Sequence, residues 1–278
     1  MSYADNISWG IELETTIPNT APVSVGRYHN GRRVEGMGGW KAESDSSIHT
    51  IRGRKGCEFV SPILRGQSGI ESLRTAVGQI NDLGAKVNHT CGVHVTVSWN
   101  GDASALARLI TLVANYEQAI WASTGTHRRE NAPWCKKIKG YGNHKTAKDA
   151  ADQDRYHMLN LTHLARGYSR IEFRAFSGSL NADKLVAWVM TCLGLVEVAM
   201  RSTRRTSWDT DASRGPWARS GRGQREGGIG EIEIRRLFYR LGWTKGHTSY
   251  TAGQVGDEDV KTAKKALLEM AQKYDAQG

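Results

Sequence analysis

Ile7-Ser-Trp-Gly-Ile-Glu-Leu-Glu-Thr15 alternates without a break. Ile7, Trp9, Ile11 and Leu13 point one way; Ser8, Gly10, Glu12 and Glu14 point the other. Such a segment is a strand with an apolar face on a core and a polar face turned away, here carrying two carboxylates at i and i+2. Cys91 to Trp99 repeats the pattern, with Val93, Val95 and Val97 on one face and Gly92, His94, Thr96 and Ser98 on the other. Gly56-Cys-Glu-Phe-Val-Ser-Pro62 reads as a strand closed by a proline that cannot donate to a ladder. A strand pair is expected around 158–161 and 168–176, where Ile171 and Phe173 oppose Arg170, Glu172 and Arg174.

Helical spacing appears between these strands. Ser68 is placed to cap a helix through Ile70, Leu73, Val77 and Ile80, and Asp102 or Ser104 to open one whose stripe runs from Leu106 to Ile120. Asn181 or Asp183 opens a long apolar helix through Val198, and two further helices are expected over 231–241 and 257–274. A Gly/Arg-rich loop (18–37), a short polar stretch (40–51) and a basic irregular stretch (123–152) fill the gaps. The fold class predicted is α+β: a mostly antiparallel sheet with one polar face, backed by helices. Residues 1–200 form the main expected unit, and 201–278 an Arg-rich loop and helical extension of the same domain.

Composition narrows the function classes. Of 278 residues, 39% are hydrophobic and 24% charged, as in a folded globular protein. Met-Ser-Tyr-Ala-Asp-Asn lacks the basic start and apolar run of a secretory signal, and the longest apolar stretch, 185–200, contains Gly194 and Glu197. Cys57, Cys91, Cys135 and Cys192 form no CxxC pair, the pattern of reduced thiols. These features predict a cytoplasmic location and no membrane. Much of the net charge of +10 comes from Arg201, Arg204, Arg205, Arg214, Arg219, Arg222 and Arg225 in one stretch that holds only Asp209, Asp211 and Glu226 as acids. Such a stretch suits an acidic or polyanionic acceptor, and equally a solvated loop.

Glu12, Glu14, Glu58, His94, Arg170, Glu172 and Arg174 each stand mid-strand. Two carboxylates two positions apart on a strand repel unless a cation lies between them, and a hard divalent ion with oxygen ligands meets that need. Each residue alone also has a plain structural reading, as an exposed sheet face, an ion-pair ladder or a half-buried histidine.

Their order is more specific. Gly10-Ile-Glu-Leu-Glu14, Glu43-Ser-Asp-Ser-Ser47, Gly56-Cys-Glu-Phe-Val-Ser-Pro62, Cys91-Gly-Val-His-Val95, Leu159-Asn-Leu161 and Arg170-Ile-Glu-Phe-Arg174, in this order, resemble the amidoligase family, relatives of glutamine synthetase and glutamate–cysteine ligase. The likeness covers about Gly10 to Trp188. It implies a curved antiparallel sheet of the carboxylate–amine ligase type, with ATP at one mouth and magnesium, or manganese in its place, held by Glu12, Glu14, Glu58, His94 and Glu172. It further implies that Arg174, with Arg170 and Glu58, serves the chemistry and faces the transferring phosphate or substrate carboxylate. Asp45, Ser61 and Asn160 would lie on the substrate side, and Arg128, Arg129 and Lys136 in a basic loop touching nucleotide. Thr96 stands where relatives often have a second histidine.

The expected reaction joins an amino-acid, peptide or protein carboxylate to an amine through an acyl phosphate, in a monomer or an oligomer. No P-loop motif and no GxSxG elbow is present, so neither a P-loop nor a serine nucleophile is expected. Two rivals stay open: a metal-dependent hydrolase or nuclease using the same acid/His cluster, and a nucleic-acid-binding protein without chemistry.

Overall fold

The computed structural model describes residues 7–130, 132–138, 154–202, 228–244 and 257–277. Seven strands, β1 (Trp9–Pro18), β2 (Arg32–Arg33), β3 (Lys41–Glu43), β4 (Arg54–Val60), β5 (Gly92–Ser98), β6 (Leu159–Asn160) and β7 (Arg170–Ser177), form one sheet in the order β2-β3-β4-β1-β5-β7-β6. Every neighbouring pair is antiparallel. The two edge strands are two residues long, which leaves little unpaired backbone as a template for another chain. The fold class is α+β, as the alternating segments predict.

Seven helices are seen among the described residues: α1 (Gly66–Asp82), α2 (Ala103–Asn115), α3 (Glu117–Ala122), α4 (Thr162–Ala165), α5 (Ala182–Arg201), α6 (Ile229–Arg240) and α7 (Asp257–Asp275). Helix α5 is the spine. Its residues from Leu185 to Ala199 are all buried, so it is apolar on every side because it is covered on every side. It packs against β5, α1, α2 and α7. At Gly194 a Cβ would stand 2.9 Å from Leu241 Cδ2, so glycine lets the segment after α6 close against the spine. Truncating Leu193, fully buried in this layer, costs about 2–5 kcal/mol by the usual transfer and cavity terms. No helix is long and apolar enough to cross a membrane among the described residues.

Several sequence expectations need correction. Strand β1 runs from Trp9 to Pro18 rather than from Ile7 to Thr15, and β4 starts at Arg54. Ser68 does not cap α1: the N-cap is Arg65, and the Ser68 hydroxyl donates back to the Arg65 carbonyl. Asp102 does cap α2, accepting from the Ala105 N–H, and Asn181 caps α5, accepting from Lys184. The stripe expected from Leu106 to Ile120 breaks at Tyr116 (φ −111°, ψ 14°). That break turns Glu117 inward, where its carboxylate accepts the Ile138 N–H. The Gly/Arg-rich loop and the polar stretch contribute β2 and β3. Most of the Arg-rich tract, 203–227, lies outside the described residues.

One irregularity positions the site. Between β5 and β7 the register runs Val93↔Phe176 and then Val95↔Phe173, so β7 carries one more residue than its partner. A bulge of this kind locally opens the ladder and re-aims side chains. Here it falls at Arg174 and Ala175.

Candidate active site

Sheet register brings the mid-strand polar residues together. Glu12 is the partner of His94 across β1/β5, Glu14 of Glu58 across β1/β4, and Glu58 of Glu43 across β4/β3. Asn160 is the partner of Glu172 across β6/β7. The polar face of the sheet therefore gathers acids from four strands around one imidazole. His94 Nδ1 lies 3.1 Å from Glu12 Oε2 and 3.5 Å from Glu172 Oε1, and its Nε2 lies 3.5 Å from Glu14 Oε1.

Two three-residue sets could each hold a cation: Glu12, Glu58 and His94, and Glu14, Asp45 and Glu58, with the ligand atoms of each set within 4.8 Å of one another. Glu58 belongs to both. Two ionised carboxylates at that separation repel by about 3 kcal/mol at an effective dielectric of 20. Burial first, and then Glu12, Glu14, Asp45 and Glu43, push the Glu58 carboxyl up to about 10. The set therefore fits a hard divalent cation: oxygen donors, one imidazole, and a local excess of negative charge that a proton otherwise relieves.

Glu172 is treated in the opposite way. Burial alone would raise its pKa, but Arg174, His94 and Asn160 outweigh burial and hold it below the usual range. Arg174 Nη1 donates to Glu172 Oε1 at 2.6 Å and Asn160 Nδ2 to Glu172 Oε2 at 2.6 Å. Glu14 is fixed by the main-chain N–H of Gly92 at 2.6 Å. Gly92 has no Cβ for a local reason, since one would stand 3.0 Å from Arg129 Nη2. Arg129 is buried; its Nη2 donates to the Arg174 carbonyl at 2.8 Å and its Nε to that of Ala175 at 3.4 Å. Its guanidinium thus satisfies the carbonyls at the bulge.

A cavity of about 860 Å³ opens from this cluster. Glu14, His94, Asp45 and Arg174 line its acidic end, and Tyr28, Trp134, Lys136, Arg155 and Tyr156 its far wall. At the acidic end, the buried Nε of Arg174 has no protein acceptor. Arg155 donates to the Tyr28 hydroxyl at 3.2 Å and lies over the Tyr156 ring.

The residues expected from sequence divide accordingly. Glu12, Glu14, Glu58, His94, Glu172, Arg174 and Asp45 converge, and Arg129 and Lys136 reach the cavity wall. Arg128 is exposed and not part of that wall. Arg170 is exposed as well, lying over Tyr168 with Nη2 3.5 Å from His163 Nδ1. Ser61 does not line the cavity: its hydroxyl accepts from the Ile11 N–H and donates to the Pro62 carbonyl, prolonging the β1/β4 ladder past Val60. Asn160 does not line the cavity; it donates to Glu172, which neighbours His94. Sequence reasoning missed His163, whose Nε2 is 3.8 Å from Glu172 Oε2, and the far-wall residues Tyr28, Trp134, Arg155 and Tyr156. Nothing local marks them, because they meet the site only through tertiary structure. Gly92 was signalled by its place in Cys91-Gly-Val-His94.

The fold is thus of the α+β class, with an antiparallel sheet whose polar face gathers four glutamates, a histidine and an arginine at the head of a large cavity. The family described as "Putative amidoligase enzyme" matches residues 6–142 and 139–196, more than half of the chain. The chain belongs to the amidoligase family. Among solved structures, it is similar to a chain in the "Crystal structure of the complex between Prokaryotic Ubiquitin-like Protein Pup and its Ligase PafA", at 11% identity and a TM-score of 0.41. The match covers 95% of this chain and 64% of that one, so the chain spans less than two thirds of that relative's length. No curated protein matches.

Proposed function

We propose that the protein is an ATP-dependent carboxylate–amine ligase that forms an amide, peptide or isopeptide bond through an acyl phosphate, with residues 1–200 carrying the site. The observation that supports this reading best is the convergence of Glu12, Glu14, Glu58, His94 and Glu172 beside Arg174 at the head of one cavity. A carboxylate is a poor electrophile, so direct condensation with an amine is uphill in water. In the proposed reaction the substrate carboxylate oxygen attacks the γ-phosphorus of ATP and ADP leaves. The amine nitrogen then attacks the acyl carbon, loses a proton, and inorganic phosphate departs.

Magnesium or manganese, held by Glu12, Glu14, Glu58, His94 and Glu172, would supply charge neutralisation for the triphosphate. The chain's own residues supply positioning and electrostatics. Arg174 keeps one N–H on Glu172 and has donors left for an anionic oxygen. Arg129 holds the Arg174 backbone in place from behind. Asp45, at the cavity wall, attracts a cationic amine. The acid partner is an amino-acid, peptide or protein carboxylate.

The test measures ADP and phosphate release with candidate acids and amines, with and without magnesium. Metal-dependent release that requires both acid and amine supports the ligase. Failure to bind nucleotide with metal present ends it, and cleavage of DNA or RNA with magnesium alone would favour a nuclease.

A further inference from the structure

The last turns of α7 reach across to the loop that walls the cavity. Tyr274 donates its hydroxyl to Glu130 Oε2 at 2.7 Å and accepts from Gln118 Nε2 at 2.7 Å. Its ring lies 3.7 Å, centroid to centroid, from that of His127, whose Nε2 is 3.1 Å from the Tyr274 carbonyl. Gln277 Nε2 donates to the Gly125 carbonyl at 2.9 Å. Glu130 is held from its other side by Lys137 at 3.2 Å. These contacts tie α7 to residues 125–130 and 132–138, the stretches that carry Arg129, Trp134 and Lys136.

We infer that Tyr274 is a positioning residue for the cavity: by pinning Glu130 and His127 it sets the wall from which Arg129 reaches the bulge of β7. The chemistry of the pair suits a permanent latch. Burial, and then Glu130, push the Tyr274 hydroxyl well above its ordinary range, so it remains a donor. Burial opposes ionisation of Glu130, but Tyr274, Lys137 and His127 outweigh it and keep the carboxylate charged. A charge-assisted hydrogen bond is stronger than a neutral one, and this one closes a contact 144 residues apart in sequence.

The kinetic half of the test rests on the ligase reading; the exchange half does not. Tyr274→Phe keeps the ring and deletes the hydroxyl. Amide hydrogen exchange in peptides from 125–130 and 132–138 is expected to accelerate about tenfold, with β1, β5 and β7 unchanged. In turnover, KM for ATP is expected to rise about tenfold with kcat within about twofold. Should Tyr274→Phe loosen the whole fold, Glu130→Ala removes the acceptor from the other partner, and the same local acceleration is expected. Unchanged exchange in both stretches, or acceleration spread equally over the strands in both variants, overturns the inference. If the wild type turns over no ATP, the ligase reading falls and the exchange result alone decides the latch.

Discussion

Glu14 and Glu58 face one another across the β1/β4 ladder, and together with Asp45 their carboxylate oxygens lie within 4.8 Å of one another. The pair is a built-in electrostatic conflict. Glu58→Gln removes it, so the metal-free variant is expected to melt a few degrees higher than wild type, since about 1 kcal/mol shifts the midpoint by about 2–4 °C in a protein of this size. Magnesium or manganese should raise the wild-type midpoint and leave the variant almost unmoved. Scanning calorimetry with and without ion checks both; an undiminished ion-dependent shift in Glu58→Gln would remove Glu58 from the site.

Asn160 acts through Glu172, to which it donates at 2.6 Å while its own Oδ1 accepts from Thr162. Asn160→Ala is expected to leave the circular dichroism intact and to weaken manganese binding by about 10–100-fold, the usual loss when a ligand's supporting partner is removed. Isothermal titration would read this directly, and wild-type affinity would mean that Glu172 needs no such support.

Asp275 caps a helix from a distance. Its two oxygens accept from the N–H groups of Gly230 and Glu231 at the start of α6. Asp275→Ala should cost about 1–2 kcal/mol in urea unfolding, as lost N-caps do. Gly228→Ala should be worse, because a Cβ there would stand 2.2 Å from Asp275 Cγ.

Lys184 gives a pH dependence. Its amine donates to the Thr124 carbonyl at 3.1 Å and lies over the Trp188 ring, and burial, with Lys273 nearby, pushes its pKa down to about 8 from an ordinary 10.5. Between those values the unfolded chain holds a proton that the folded chain has lost. This group's contribution to stability therefore rises as pH climbs from about 8 to 10.5, and below about 8 its burial costs on the order of 3 kcal/mol. Lys184→Met should raise the midpoint at pH 7 and bring little gain at pH 10.5.

All four cysteines are buried and free. Burial pushes the Cys57 thiol up to about 12 and those of Cys91, Cys135 and Cys192 upward as well. None should react with a thiol reagent in the native protein within minutes at pH 8, and all four should react in denaturant.

Much of the sheet was legible because a half-buried strand writes its two faces as a period of two. Ile11 and Leu13 against Glu12 and Glu14, and Val93 and Val95 against His94, needed no partner to be read. What escaped depended on distant partners. The helix break at Tyr116 is followed by Glu117, whose carboxylate accepts from the Ile138 N–H, a partner 21 residues away. Arg128 and Arg129 are adjacent and chemically alike, yet one is exposed and the other is buried on β7 carbonyls. Ser61 and Asn160 are expected on the substrate side from their family positions; the hydrogen bonds they make to Ile11, Pro62 and Glu172 join strands that no local pattern pairs. The far wall joins Tyr28 to Arg155 across 127 positions, which no local pattern encodes.

The extra residue in β7 has a consequence for how this strand tolerates change. Up to Phe173 its apolar side chains keep the odd positions; beyond the bulge Phe176 takes over and stacks on Trp188, 4.8 Å between ring centroids. The strand has changed phase between its chemical half and its packing half. Deleting either residue at 174 or 175 would restore the simple pleat with Phe176 still opposite Val93, and would close the local opening that aims Arg174 at Glu172. At that short stretch the number of residues matters as well as their identity.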